Sequence, residues 1–168
     1  MRRESASWPS IALALGTALL ALALINLAIV RNQQVLREGT VFYLQLAPVD
    51  PRSLLQGDYM ALNYALSNQL RSDWPEQIPD AAWVSLSLDP KGIAGNPELS
   101  AQAPAAAPGT VVLQVRKQGW QVVLATDGYY FEEGQGERYQ RARYGQFHSD
   151  GGDKALLSTL VDENLNPL

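Results

Sequence analysis

The sequence predicts a mainly β protein: one N-terminal transmembrane helix followed by a small β-barrel or sandwich-like domain of six to seven short strands. Two observations support this fold class. An apolar run lies near the N-terminus, and short alternating segments separated by turn residues fill the rest of the chain. The chain has 168 residues, which leaves room for one domain beside the helix, and such a domain can bury an adequate core unaided.

The apolar run extends from Ile11 to Val30, and only Gly16, Thr17 and Asn26 interrupt it. A helix of that length spans roughly 30 Å, the thickness of the hydrocarbon core of a bilayer. Each Leu, Ile or Val at its centre favours insertion by about 0.3–0.6 kcal/mol. We therefore expect a cytoplasmic N-tail at residues 1–10, a transmembrane anchor at 11–30, a polar linker at 31–38 and an extracytoplasmic β domain at 39–168.

Two other interpretations of the apolar run were considered. A buried helix of a globular protein carries a polar stripe every three or four residues, and this run has none. A cleaved signal peptide is favoured by the basic Arg2-Arg3 pair and by the small-x-small sequence Ala21-Leu22-Ala23. Cleavage there would leave residues 24–30 as an apolar N-terminus, and the run exceeds the usual length of a signal-peptide core. An uncleaved signal-anchor is therefore the expectation.

The charges predict the orientation and exclude several function classes. Of 13 Lys and Arg, only Arg2 and Arg3 precede the run, and of 17 Asp and Glu only Glu4 does, so the chain from Arg31 onward has a net charge of −5. Arg31 and Arg37 follow the run, so the positive-inside rule alone is nearly balanced. The short N-tail and the acidic chain after the run favour a cytoplasmic N-terminus in the bacterial inner membrane, with the domain in the periplasm. An acidic domain has no basic face for nucleic acid. We expect the bilayer, through residues 11–30, to be its lipid contact.

The residue types available for catalysis or metal binding are few. The sequence has no cysteine and one histidine, His148, so thiolate sites are excluded and a metal site or Ser-His-Asp triad has little to draw on. The absence of cysteine also fits an oxidising compartment. We expect no metal, no cofactor and no catalytic residues.

Seven segments predict strands from β-branched and aromatic content or period-two alternation. The clearest is Ala82–Leu88, in which Val84, Leu86 and Leu88 share one face. A hairpin is expected across Gln118-Gly119, and a closing pair near the C-terminus. Residues 65–71 either extend the second strand or form a helical turn, and 137–143 form a helical turn. The predicted strands are 40–49, 58–64, 82–88, 110–117, 120–126, 144–148 and 155–161.

One segment combines turn and aromatic residues in an unusual order. Gly57-Asp58 suits a backbone corner at the start of a strand, and Arg52 is close enough in sequence to pair with Asp58. Tyr59 and Tyr64 carry hydroxyls that could fasten neighbouring strands. A structural corner is the favoured interpretation, and a binding site is the alternative.

The residues Gly57, Asp58, Tyr59, Leu62 and Tyr64 together resemble the signature of the GDYXXLXY family, bacterial membrane-anchored proteins without an assigned activity. The eight-residue motif matches in full. The resemblance implies a membrane complex with a polytopic membrane protein. Further features typical of the family are Asp50-Pro51-Arg52, Tyr130-Phe131-x-Glu133-Gly134 and Ala142-Arg143-Tyr144-Gly145-x-Phe147.

The Gly-Asp corner is also similar to that of type I signal peptidases, which place a Ser-Met-x-Pro segment with the nucleophile before it. Here Leu46-Ala47-Pro48 stands in that region without the serine, and Ser53 follows Pro51. The likeness therefore does not carry the peptidase chemistry over.

Three functions follow as hypotheses. The first is a non-enzymatic interaction module that docks on an integral-membrane partner or an envelope ligand. Its candidate surface is the motif, Arg52 to Tyr64, with the aromatic cluster Tyr129–Phe131. Ordinary strand core is an equally good interpretation of that cluster. The second is an envelope hydrolase or processing enzyme that uses the Asp58 corner. The third is a structural scaffold. The secondary candidate residues are Tyr130, Phe131, Glu133 and Gly134.

Overall fold

The structure, a computed structural model, describes residues 8–47, 55–56, 59–105, 107–152 and 154–168. Within these residues it contains three helices and ten strands. In chain order they are α1 Trp8–Glu38, β1 Thr40–Gln45, β2 Leu55–Gln56, β3 Tyr59–Ala61, α2 Ala65–Ser72, β4 Ala81–Leu88, β5 Ala94–Ser100, β6 Thr110–Gln118, β7 Gln121–Val123, β8 Gly128–Tyr130, α3 Gly136–Tyr139, β9 Tyr144–Ser149 and β10 Ala155–Val161.

The fold class predicted from the sequence is confirmed: an apolar N-terminal helix precedes a domain of antiparallel sheets that form a half-barrel. Three strands were not predicted. β2 and β8 are only two and three residues long, and β5 has the sequence AGNPELS, in which Gly95, Asn96 and Pro97 hide the strand. Residues 65–71, for which strand and helix were both open, form α2.

The N-terminal helix is long and apolar enough to span a membrane. Its stretch Ala12–Glu38 reaches a mean hydropathy of 2.5, and none of its most apolar window is buried. Its polar side chains bond to the helix itself, since Asn26 donates to the Leu22 carbonyl at 2.8 Å and Thr17 to the Ala14 carbonyl at 2.9 Å. The helix does not end at Val30 but continues to Glu38, so residues 31–38, expected as a linker, are helical.

The helix passes into the β domain through a single residue, Gly39. The Gly39 N–H donates to the Val35 carbonyl at 2.9 Å, and Val35 is buried. A Cβ at Gly39 would meet the carbonyl oxygens of Val35 and Ser149, so this close approach requires glycine. Lys154, beyond the β9–β10 turn, donates to the Asn32 side chain. These contacts attach the end of α1 to the β domain.

Three antiparallel sheets build the domain. Their strand orders are β1-β9-β10, β2-β3-β8 and β5-β4-β6-β7. The predicted hairpin forms between β6 and β7, and the predicted closing pair between β9 and β10. In β4 the expected alternation is observed, with Ala82, Val84 and Leu86 buried.

The core lies where the sheets face each other. Phe42 and Phe147 are fully buried and stack with ring centroids 5.5 Å apart. Leu44, Leu86 and Leu113 complete its centre. Fully burying one such side chain contributes about 1.5–3 kcal/mol, so these positions define how the sheets pack.

Candidate functional site

The predicted motif is described from Tyr59 onward. Arg52, Gly57 and Asp58 lie outside the described residues, and so does the predicted pairing of Arg52 with Asp58. The structure describes the side chains of Tyr59, Leu62 and Tyr64, which follow one another from β3 to the start of α2. These three positions show what the second half of the motif does.

The side chain of Tyr59 lies over a glycine on the neighbouring strand. In the β3–β8 pair, Tyr59 is opposite Tyr130 and Ala61 is opposite Gly128. A Cβ on Gly128 would lie 2.7 Å from Tyr59 Cζ, so the ring occupies the space that a larger residue would need. Tyr59 also packs on Tyr130 with centroids 5.0 Å apart and donates from its hydroxyl to the Asp127 carbonyl at 3.4 Å.

Leu62 and Tyr64 are both buried, with 4% and 3% of their surface exposed. The Leu62 N–H donates to the Asp127 carbonyl at 2.8 Å, and the Tyr64 hydroxyl donates to the Thr126 carbonyl at the same distance. The Tyr64 ring meets Phe147 edge to face. Burial, and secondarily the negative charge of Asp127, raises the pKa of Tyr64 above its ordinary range, so its hydroxyl stays protonated and serves as a donor.

The motif therefore fastens residues 126–128 to β3. We call the set Tyr59, Leu62, Tyr64 and residues 126–128 the motif latch. The sequence predicted that the two tyrosine hydroxyls fasten neighbouring strands. Both form hydrogen bonds, but their acceptors, Asp127 and Thr126, lie in the segment between β7 and β8 and not in a strand. Sequence reasoning missed Thr126 and Gly128, the other half of the latch, because they lie more than 60 positions from the motif.

A groove of about 360 Å³ runs beside the motif latch. Helix α2 forms one wall with Ser67, Asn68 and Arg71. Its apolar side chains Leu66 and Leu70 are buried on the other side. The opposite wall is β7 and the segment that follows it. Trp120, in the turn before β7, lies at the rim with 87% of its surface exposed. We call this the motif groove; the polar residues along it are Asn63, Ser67, Asn68, Arg71, Gln121, Thr126 and Asp127.

The predicted aromatic cluster is divided by the structure. Tyr129 and Phe131 are half-buried and pack on the buried Tyr139, with centroid distances of 5.2 and 4.9 Å. Tyr130 points the other way and is 78% exposed. Strand core is therefore the correct interpretation of Tyr129 and Phe131, and an exposed surface is the correct one of Tyr130.

The acidic turn after β8 is a local structure. The Gln135 N–H donates to the Glu132 carbonyl at 3.1 Å, and the Gln135 side chain donates to the Glu132 carboxylate at 3.0 Å. Gly134 has a φ of +84°, where glycine is favoured. Glu133 is exposed on this turn. Glu133 and Gly134 thus mark a turn, which is next to Tyr130 in sequence but is not part of the motif groove.

The part of the chain that the structure describes shows no metal-binding cluster. It contains no group of three or more His, Asp or Glu side chains placed to hold a metal ion. His148 is half-buried in β9, its Nε2 lies 3.4 Å from the Gln146 amide, and its Nδ1 has no partner among the described atoms. What the site does offer is a groove with an aromatic rim, which suits binding.

Comparison with known proteins gives one match. The GDYXXLXY protein family matches residues 21–160, which include the last part of the apolar run and most of the β domain. No curated protein and no solved structure matches the chain in the corresponding comparisons.

Proposed function

The chain belongs to the GDYXXLXY family, and on that basis we propose that it is a single-pass protein of a bacterial inner membrane whose periplasmic β domain binds an integral-membrane partner. In this proposal the domain is a non-enzymatic interaction module, and the motif groove with its aromatic rim is the binding surface.

The composition and exposure of α1 support the membrane part. The helix exposes Leu13, Leu19 and Leu24 by more than half of their surface, which is unfavourable in water and favourable in lipid. Arg2 and Arg3 before the apolar run are matched by Arg31 and Arg37 after it, so the positive-inside rule is nearly balanced and the short N-tail supports a cytoplasmic N-terminus. The acidic chain that follows has no basic surface that would hold it at the cytoplasmic leaflet.

The exposure of the aromatic side chains of Trp120 and Tyr130 supports the proposal that the domain binds a partner. Outside α1, the large hydrophobic side chains that the described residues expose are Val41, Trp120 and Tyr130, at 40%, 87% and 78%. Tyr130 packs on Tyr59, and both Tyr59 and Trp120 line the motif groove. Tyr and Trp are the residues that most often dominate binding energy at interfaces, and here they stand beside a rigid latch.

The charge and the tether define the kind of partner. The chain from Arg31 onward has a net charge of −5, so a complementary partner surface is apolar with basic residues at its rim. An anchor in the same membrane raises the effective concentration of a second membrane protein near the groove. A modest interface is then sufficient for a stable complex.

Purification of the full-length protein from mild detergent tests the proposal. We expect an integral-membrane protein in stoichiometric amount, identified by mass spectrometry. Trp120→Ala removes an exposed rim side chain without disturbing the core, and we expect it to weaken the complex by about 2 kcal/mol, as for a typical hot spot. Val41→Ala, on the exposed face of β1, is the matched control and should leave the complex intact.

Two results would contradict the proposal. If the protein at native expression level is monodisperse and carries no companion, the interaction-module hypothesis is contradicted and the structural-scaffold hypothesis is favoured. A companion that is retained equally by Trp120→Ala and by the wild type would show that the motif groove is not the surface involved.

A further inference from the structure

Strand β8 is an edge of its sheet, because it pairs with β3 alone among the described strands. The Leu62 N–H bonds to the Asp127 carbonyl, and antiparallel hydrogen bonds alternate along the strand. The main chain of Tyr129 therefore faces β3, and that of Tyr130 faces away. No hydrogen bond reaches the main-chain N–H or C=O of Tyr130 from any described residue.

Strand β10 is an edge of a different sheet, because it pairs with β9 alone among the described strands. The Leu46 N–H bonds to the Arg143 carbonyl, and the Asp150 N–H bonds to the Lys154 carbonyl. Hydrogen-bonded and non-hydrogen-bonded pairs alternate along an antiparallel ladder. Counted from either of these bonds, Leu156 and His148 form a hydrogen-bonded pair. The main-chain groups of Ala155 and Leu157 therefore face away from β9.

The far end of the β10 edge already holds an extended segment. The register of β10 shifts between Leu157 and Thr159, and beyond this bulge Leu160 and Asp162 face outward. The Leu160 carbonyl accepts from the Leu168 N–H at 3.0 Å, and the Asp162 N–H donates to the Asn166 carbonyl at 3.0 Å. The C-terminal residues thus add an isolated β-bridge, Val161 with Pro167, at this edge. Ala155 and Leu157 continue the same edge without a partner strand among the described residues.

A depression of about 330 Å³ separates the two edges. Gly128 and Tyr130 line one side of it, and Ala155 and Leu157 line the other. We call this depression the seam. The lining is mixed: the polar Thr126 and Tyr130 are exposed, whereas Tyr129, Ala155, Leu156 and Leu157 are half-buried and apolar or aromatic. The two sides carry main-chain donors and acceptors. Main-chain groups in this arrangement are complementary to an extended polypeptide.

We infer that the seam binds an extended segment of the partner protein by β-strand addition, which bridges β8 and β10 and closes the half-barrel. This inference rests on the proposed function and adds to the motif groove a second contact surface for the same partner, with its mode of binding. Main-chain hydrogen bonds to Tyr130, Ala155 and Leu157 hold the segment. Every second side chain of the bound segment is apolar and contacts Tyr130 or Leu157.

The charges beside the seam define the segment further. Asp127, Glu132 and Glu133 are exposed on the β8 side. Lys154 is half-buried at the start of the β10 side and already donates to Asn32. A segment with Lys or Arg next to its apolar residues complements this balance. Tyr130 links the two surfaces, because it lines the seam and packs on Tyr59 at the motif groove.

Peptide selection on the full-length protein in lipid nanodiscs tests the inference. The probe is a phage-displayed library of random linear peptides, and the selected sequences are then synthesised. We expect alternating apolar residues with adjacent Lys or Arg. Hydrogen exchange should slow at the main-chain amides of Tyr130, Ala155 and Leu157 when the peptide binds.

Ala155→Pro is the blocking variant. Proline at the first residue of a strand is tolerated, and the lost N–H is one that does not bond to β9. We expect peptide affinity to fall roughly tenfold, the effect of one unmade hydrogen bond. Val41→Pro, at a position of β1 whose main chain faces away from β9 and toward Gly92, is the matched control and should bind normally. The hydrogen-exchange pattern of the wild type decides the matter independently if Ala155→Pro loses its fold.

Several outcomes overturn the inference: no peptide selected, equal affinity for Ala155→Pro, or protection confined to α2 and the motif groove. A dimer of the wild type that Ala155→Pro dissociates would make a second copy the occupant and would likewise overturn it. The inference and the proposed function fail separately. If Trp120→Ala loses the companion protein and Ala155→Pro retains it, only the inference about the seam is contradicted. If peptides bind the seam but no companion protein co-purifies, only the proposed membrane partner is contradicted.

Discussion

The Tyr64 hydroxyl donates a 2.8 Å hydrogen bond to the carbonyl oxygen of Thr126, a residue 62 positions further along the chain. This bond joins the last residue of the GDYXXLXY motif to the segment that leads into β8. Beside it, the Leu62 N–H bonds to Asp127. The motif is thereby a long-range structural fastening that holds β8, and with it Tyr130, in place.

Tyr64→Phe should destabilise the domain by about 1 kcal/mol, because it removes the partly buried hydrogen bond from the Tyr64 hydroxyl to the Thr126 carbonyl. Chemical denaturation measures this free energy of unfolding. Tyr130→Phe is the matched control, since Tyr130 is 78% exposed and should change stability little. Equal stability of the two variants would show that the Tyr64 bond contributes nothing.

The same tyrosine predicts a loss of stability in alkali. Burial, and then the charge of Asp127, raises the pKa of Tyr64 in the folded protein above its ordinary value of 10.0. The unfolded chain therefore loses this proton first as the pH rises, and stability falls above about pH 10. Denaturation at a series of alkaline pH values should show a smaller decline for Tyr64→Phe than for the wild type. Identical slopes would contradict the assignment.

Gly128→Ala should also weaken the motif latch. The added Cβ meets the ring and hydroxyl of Tyr59, so Tyr59 must move off Tyr130, at a cost of about 1–3 kcal/mol. Gly95→Ala is the control, because no atom lies within 4 Å of a Cβ at that position. In a double-mutant cycle, Tyr59→Ala should abolish most of the effect of Gly128→Ala. Simple additivity would mean that the ring is not the obstacle.

The C-terminal segment after β10, residues 162–168, should detach in acid. The main-chain N–H of Asn166 lowers the pKa of Asp162 below its ordinary value, and desolvation partly opposes this effect. The Asn166 side chain and the Asn164 N–H lower the pKa further. Because its pKa is depressed, the Asp162 carboxylate stabilises the folded protein fully at pH values above the ordinary pKa of 3.8. This stabilisation is lost as the pH falls through the pKa of the folded state. NMR protection of the Asn166 amide should decrease below pH 3.8 in the wild type and vary little in Asp162→Asn. The same pH profile for the wild type and for Asp162→Asn would show that Asp162 does not hold the C-terminal segment.

Much of the fold follows from local patterns. The apolar run predicted α1, and the alternation of Val84 and Leu86 predicted β4, because burial of one strand face leaves a period of two in the sequence. The pattern failed where the structure depends on distant contacts. β8 exists because Tyr59 covers Gly128, and a strand of three residues has no period to detect.

The site was predictable in part for the same reason. The tyrosines of the motif were recognised as hydroxyl donors, whereas their acceptors Thr126 and Asp127 are main-chain carbonyls that no side-chain pattern marks. The exposure of Trp120 at the groove rim was also missed, because a tryptophan in a hairpin has the same sequence pattern whether it is buried or exposed.

The central claim is that α1 remains in the bilayer and tethers the β domain. Intact-mass spectrometry of the native protein, after alkaline carbonate extraction of the membranes, tests it most directly. We predict the full-length chain, with residues 11–30 present, in the carbonate-resistant pellet. A protein recovered in the supernatant with an N-terminus beyond Ala23 would contradict the tether, and with it the membrane-bound interaction module.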